Sequence, residues 1–206
     1  MFSGLVREIA SVKSFEGSIL RLVCKHRPEI GDSIAVNGMC LTVIALYEDG
    51  FSLEVSEHSR KSVAIENYTN LVHIEPALRA DSRLDGHFVQ GHIDAIGVIK
   101  KIIPNANQTY FEIQAQKSAL MLIIPKGSVT VDGISLTISD VNTQHFCLTI
   151  IPHTFQSTLF HTYRVGRRVN IETDMLVRSI AHILAQRDKF SATPTWQDLD
   201  EIVLQY

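Results

Sequence analysis

Along most of this chain, apolar and polar positions alternate in short runs. Ser18–Cys24 (SILRLVC), Ser33–Val36 (SIAV), Leu41–Leu46 (LTVIAL) and Phe51–Val55 (FSLEV) are rich in β-branched residues and bounded by Gly, Asp or Asn. Such runs predict strands, because branched side chains pack well on a pleated surface and the bounding residues accept turn conformations. Glu48–Asp49–Gly50, between two of them, predicts a hairpin. The same vocabulary returns in Thr109–Ala115 (TYFEIQA), Ser128–Val131 (SVTV), Leu136–Val141 (LTISDV) and Phe146–Ile151 (FCLTII). Near the end the period changes. Leu176, Ile180, Ile183 and Leu184 fall at i, i+4, i+7 and i+8, the apolar stripe of a helix opening near Thr173–Asp174. A second short amphipathic segment, TWQDLDEIVLQY, runs from Thr195 to Tyr206.

The two sets of strands are copies of each other. SIAVNGMCLTV (Ser33–Val43) lies over SVTVDGISLTI (Ser128–Ile138) at an offset of 95, which also sets FSLEVSEHS over FCLTIIPHT, His58 on His153, Ser62 on Ser157 and Tyr68 on Tyr163. LVHIE (Leu71–Glu75) meets RVNIE (Arg168–Glu172) at 97, and the GLV at Gly4 meets the GHI at Gly91 at 87. Offsets that hold through apolar segments and jump between them are what loop-length changes produce. The reading is a duplication over residues 1–85 and 86–173, followed by an unrelated helical tail at 174–206. So many short strands in so small a unit predict a closed antiparallel barrel, which leaves no exposed edges.

Composition narrows the function classes. A net charge of −3 over 206 residues, with no clustered basic excess, excludes a general nucleic-acid surface. No apolar run approaches a membrane span, and MFSGLVREIA lacks the basic and apolar regions of a signal peptide. Cys24, Cys40 and Cys147 are odd in number and widely spaced, which suits a reducing compartment. A cytoplasmic protein is expected.

Each residue with chemical potential also has an ordinary reading. Cys40 follows a turn and enters a strand, where a lone cysteine serves as a small buried hydrophobe; Cys24 and Cys147 lie within apolar strand patterns. His87, His92 and Asp94 suggest a metal site, but alternation along an extended segment sets the two histidines on opposite faces, so none is expected. Asp174 suits a helix cap, and Lys126 a solvated turn. Thr42, Ser135 and Thr137 suit strand positions whose hydroxyls bond a loop carbonyl.

MFSGLVREIA, GDSIAVNGMCLTV, GHFVQGHIDAIG, KGSVTVDGISLTI, IPHT and VNIETDM, in this order, resemble the riboflavin synthase family over nearly the whole chain up to about residue 185. The resemblance implies a mainly β protein of two tandem six-stranded antiparallel Greek-key barrels, with a C-terminal helix that packs a homotrimer. It implies conversion of two molecules of 6,7-dimethyl-8-ribityllumazine into riboflavin and 5-amino-6-ribitylaminouracil, with no metal and no cofactor. Lumazine synthase is left open as a further partner. Catalytic roles are implied for Cys40, His92, Ser135 and Asp174. Substrate contacts are implied at Gly4, Leu5 and Val6, at Ser33, Cys40, Leu41 and Thr42, and at Glu54, Val55, Ser56, Glu57, His58 and Ser59. The second half contributes Gly91, His92 and Ile93, Lys126, Ser135, Leu136 and Thr137, and Thr149, Ile150, Ile151, Pro152, His153 and Thr154. One set of pocket segments is expected to comprise Gly4–Val6, Cys40–Thr42 and Glu54–Ser59, and the equivalent set Gly91–Ile93, Ser135–Thr137 and Thr149–Thr154. The chain departs from the family pattern at His58–Ser59 and at Asp85. A rival reading is a lumazine- or flavin-binding antenna protein that binds without turnover. Such a protein needs only one good pocket, whereas both repeats here keep their motifs.

Overall fold

The computed structural model describes residues 1–190; the segment at Thr195–Tyr206 lies outside the described residues. Strands β1 (Glu8–Glu16), β2 (Ile19–Val23), β3 (Ser33–Val36), β4 (Met39–Tyr47), β5 (Gly50–Glu54) and β6 (Leu71–Pro76) close into an antiparallel barrel in the order β1-β2-β5-β4-β3-β6. Strands β7 (Ala95–Asn105), β8 (Gln108–Gln114), β9 (Ser128–Val131), β10 (Ile134–Val141), β11 (His145–Ile150) and β12 (Arg168–Thr173) close into a second barrel with the equivalent order β7-β8-β11-β10-β9-β12. Short helices α1 (Glu57–Ser62), α2 (Lys117–Leu120) and α3 (Pro152–Ser157) lie in the connections β5–β6, β8–β9 and β11–β12, and α4 (Met175–Phe190) follows β12. Among the described residues no helix is long and apolar enough to cross a membrane.

Alternation builds both cores. Met39, Leu41 and Val43 of β4 are buried, and so are Ile134, Leu136 and Ile138 of β10. Leu20, Leu22, Phe51, Leu53 and Ile74 fill the first barrel, and Phe111, Ile113, Phe146, Phe160 and Ile171 the second. Each fully buried side chain of this size stabilises by about 1.5–3 kcal/mol. Even the bulges repeat. Register shifts fall between Val12 and Ser14 and between Val43 and Ala45, and again between Ile99 and Lys101 and between Ile138 and Asp140. Each bends its strand and helps the sheet close.

The barrels meet through the turns that the sequence repeats. Asn37 (φ 44°) and Gly38 (φ 83°) form one hairpin tip, Asp132 (φ 46°) and Gly133 (φ 82°) the other. A Cβ on Gly38 would lie 2.8 Å from the Gly133 nitrogen, and one on Gly133 2.7 Å from the Gly38 nitrogen. The tips pack backbone to backbone, which only glycine allows. Around them, repeat-equivalent residues reach across in opposite directions. Asn170 on β12 accepts from the Ala64 amide (2.7 Å) and donates to the Asn37 carbonyl (2.9 Å). His73 on β6 accepts at Nε2 from the Leu159 amide (2.8 Å), so its proton sits on Nδ1 and is donated to the Asp132 carbonyl (3.1 Å).

Burial pushes His73 down to about 4, so it is neutral in the folded protein. The unfolded chain binds this proton near the ordinary value of 6.5. Its contribution to stability is therefore complete above that value and is lost as pH falls towards 4, up to about 3 kcal/mol. Asparagine at 73 supplies the side chain its repeat mate already uses and cannot titrate. Denaturant unfolding of parent and His73→Asn, compared at neutral and acidic pH, should show the parent losing the extra stability; parallel pH profiles would contradict it.

Candidate active site

Two extended segments lie between the barrels. Phe2, fully buried, pairs with Val89 through reciprocal backbone bonds of 2.7 and 3.1 Å. Each segment is anchored by a carboxylate at the end of a barrel strand. Glu75 accepts from the Ser3 amide and hydroxyl (2.7 Å each) and the Gly4 amide (3.0 Å). Glu172 accepts from the amides of Gln90 (2.8 Å), Gly91 (2.9 Å) and His92 (3.2 Å). Burial raises both carboxyl groups, and the backbone donors oppose that shift by favouring the charged form.

The segments then cross over. The Gly4 carbonyl accepts from the Ser135 amide at 2.8 Å, and the Gly91 carbonyl accepts from the Cys40 amide at 2.8 Å. Val6 packs on the second barrel's core and Ile93 on the first's. This corrects the expected grouping: Gly4–Val6 belongs with Ser135, and Gly91–Ile93 with Cys40. The offset of 87 identified the two segments as copies but is equally compatible with either arrangement.

The first site is a cavity of about 260 Å³ lined by Met39, Cys40, His58, Ser59, Ser62, Val63, Gly91, His92 and Ile93. Its wall at Ser59 is fixed by the cap of α1, where the Ser56 hydroxyl accepts from the Ser59 amide at 3.0 Å. Burial pushes the Cys40 thiol up, with Ser33 opposing, so the group presents a neutral S–H at neutral pH. The buried Cys24 thiol, pushed up to about 11, is likewise neutral.

The second site differs in chemistry. The Ser135 hydroxyl stands 2.8 Å from His87 Nδ1. Burial lowers His87, and Asp174 opposes that shift. A largely neutral imidazole bonded to a hydroxyl can exchange a proton with a bound molecule; a thiol held neutral is a poorer base. His153 and Thr154 open α3, which begins on Pro152.

The remaining candidates separate by face. Leu41 and Val55 belong to the first barrel's core and are not among the residues that line the cavity at Cys40; Leu136 and Ile150 belong to the second barrel's core. Thr42 and Thr137 are exposed and pair across the sheet with Ser33 and Ser128. Glu54, Ser56, Glu57 and Ile151 are also exposed. Lys126 holds a left-handed turn (φ 64°) where the first repeat has Gly31 (φ 96°). Asp174 caps α4, accepting from the Leu176 amide at 2.8 Å, and is close enough to act on His87. Sequence reasoning missed Glu75 and Glu172, although both close the matched LVHIE and RVNIE motifs, and weighed His87 only as a metal ligand. Elsewhere, Glu112, His145 and Cys147 bring ligand atoms within 4.8 Å of one another. The Lys101 ammonium already sits 2.9 Å from Glu112, and burial pushes the Cys147 thiol up; both disfavour a cation there.

Residues 3–77 and 90–174 each match the lumazine binding domain. The riboflavin synthase of Bacillus subtilis (strain 168) is 34% identical over 98% of this chain and 99% of its own length. That of Actinobacillus pleuropneumoniae is 34% identical over 91% of each. Among solved structures, LumP complexed with riboflavin is similar with a TM-score of 0.74, at 20% identity over 84% of this chain and 99% of that one. LumP complexed with 6,7-dimethyl-8-(1'-D-ribityl) lumazine gives 0.72 at 19% identity and the same coverage. At these identities the two structures speak for the fold.

Proposed function

This chain belongs to the riboflavin synthase family, and we propose that its two pockets each hold one 6,7-dimethyl-8-ribityllumazine while a four-carbon unit passes between them. The protein is a transferase yielding riboflavin and 5-amino-6-ribitylaminouracil from two copies of one substrate. The observation that carries the two-pocket reading is the doubled frame: Gly91 on Cys40 and Gly4 on Ser135, each at 2.8 Å. An antenna protein would need only one such frame.

The frames are alike in backbone and unlike in side chain, as a reaction between identical molecules requires. Positioning the two ring systems supplies much of the acceleration, because it makes the encounter effectively unimolecular. The substrate's extended π-system acidifies its C7 methyl group, so modest acid–base help suffices. Ser135 with His87, supported by Asp174, supplies a proton-exchanging pair in one pocket; Cys40 with His92 gives the other pocket its different character. Thr149, Thr154, His153, Lys126 and the Ser33 hydroxyl complete the proposed ligand contacts.

In this reading the first barrel of one subunit faces the second barrel of the next in a homotrimer. The support is the stripe on α4, where Leu176, Ile180, Ile183 and Leu184 are 54–66% exposed in the single chain. Three free cysteines accord with a cytoplasmic setting. Purified protein mixed with dimethylribityllumazine should produce riboflavin absorbance, with two lumazines consumed for each riboflavin formed. Stable lumazine fluorescence without conversion would support the antenna reading instead.

A further inference from the structure

Among the described residues, the side chain of Arg178 joins helix α4 to the lip of the Cys40 cavity. Arg178, in the first turns of α4, donates through Nη2 to the Gln90 side-chain oxygen at 2.7 Å and through Nη1 to the Asp94 carboxylate. The same guanidinium stands 3.9 Å from Glu172. Gln90 and Asp94 are the two ends of the short segment whose middle, Gly91–Ile93, lines the cavity. Asp94 is itself fixed, accepting from the Thr173 amide (3.1 Å) and hydroxyl (2.7 Å). One planar cation therefore grips both ends of the lip, and Glu172 holds its backbone from below. A two-pronged bond of this kind sets orientation as well as distance.

The duplication provides an internal comparison. At the offset of 87, the position equivalent to Asp94 is Arg7, which cannot accept a bond from a second guanidinium. The lip of the Ser135 pocket, Gly4–Val6, thus lacks this carboxylate and rests on Glu75. The two lips differ in what fixes them: Arg178 of α4 grips the one at Cys40, whereas α4 meets the Ser135 pocket through its cap Asp174, beside His87, and not through the lip.

We propose that Arg178 is a positioning residue that holds Gly91 and His92 in register with Cys40, so that its grip from α4 sets the geometry of that lip and leaves the Gly4–Val6 lip untouched. The proposal rests on the reading of both sites as lumazine pockets. It makes the helix carrying the exposed apolar stripe a lever on one of the two sites, so that assembly of the stripe would tune an existing pocket.

The test uses the full chain and Arg178→Ala, with riboflavin titrated by fluorescence quenching. One class of site should weaken by about tenfold and the other should hold the parent affinity, while turnover falls by about tenfold or more. Free guanidinium ion at millimolar concentration should restore part of both losses, because the vacated space accepts the same planar cation between Gln90 and Asp94. Arg178→Lys, which keeps the charge but not the fork, should recover less than the added guanidinium does. Unchanged sites, equal weakening of both, or losses that follow melting temperature and ignore guanidinium would overturn the proposal. The titration reads the coupling without turnover. A parent protein that binds but makes no riboflavin would therefore refute the enzymatic reading and leave this inference to be decided on binding.

Discussion

Gly91→Ala is expected to lower riboflavin formation by about a hundredfold, since a shift of about 1 Å in a positioned group can have that effect. The added methyl would lie 2.6 Å from the Cys40 Cβ and 3.0 Å from both the Cys40 nitrogen and the Phe2 ring. None of these can give way easily: Phe2 is fully buried, and the Cys40 amide is bonded to Gly91 itself. The backbone at Gly91 (φ 82°) adds left-handed strain of about 1–2 kcal/mol for any other residue. Gly4→Ala creates the same conflict at the other pocket, with Ser135 Cβ at 2.6 Å and its nitrogen at 2.8 Å (φ 78°). The two variants should therefore fail alike although they lie in different repeats. Gly17→Ala is the control, having the strain (φ 56°) with nothing within 4 Å. It should lose a little stability and no turnover. Turnover and melting of the three variants decide the matter; near-parent rates for Gly91→Ala would show that the crossed segment does not shape the pocket.

The second large effect concerns α4. Ile180→Asp with Leu184→Asp places two charges on the exposed apolar stripe, where burial against a neighbouring chain would leave them unpaired at several kcal/mol. The isolated fold should tolerate the change, because both positions are more than half exposed in the single chain. The double variant should keep its β-rich spectrum and bind ligand weakly. The proposed trimer and turnover should be lost together as concentration falls, when sedimentation and rate are followed on the same samples. A clean monomer with the parent rate per chain would show that the stripe has no part in building the active site.

The strands of both barrels were legible where alternation is clean, as in Ser33–Val36 and its copy Ser128–Val131. The first and last strands of each barrel were not read from their own patterns: Glu8–Glu16 mixes charges, and Ala95–Asn105 charges and glycine, with apolar positions, while Leu71–Pro76 and Arg168–Thr173 stood out only as copies of each other. The six-residue helices α1 and α3 were also missed, being too short to establish a 3.6-residue period. For the site, the repeated NGMCLT and DGISLT point to Cys40 and Ser135, which the fold sets in equivalent backbone frames with different neighbours, Ser135 alone standing against a histidine at 2.8 Å among the described residues. Carrying whole motifs across also brought in Leu41, Val55, Leu136 and Ile150, whose side chains alternation places in the barrel cores; the core residues Met39 and Val63 do line the cavity. The crossing of Gly4 and Gly91 between barrels is a tertiary choice, made by Phe2, Val89 and the two anchoring glutamates acting together. No local spacing distinguishes it from the uncrossed alternative. His87 was hidden for a related reason, since its partner Ser135 is 48 residues away.

The central claim is that one riboflavin arises from two unlike pockets carried by different chains, and subunit mixing tests it most directly. Ser59→Trp fills the cavity at Cys40, and Thr154→Trp puts the same bulk at the repeat-equivalent position of the second barrel. Each variant alone should be inactive while still binding ligand at its open pocket. Dissociated, mixed in equal amounts and reassembled, they place an open first-barrel pocket against an open second-barrel pocket at some interfaces, and turnover should return to about a quarter of the parent rate per chain. A reassembled mixture that binds lumazine yet stays inactive would contradict the account and place the reacting pair within a single chain.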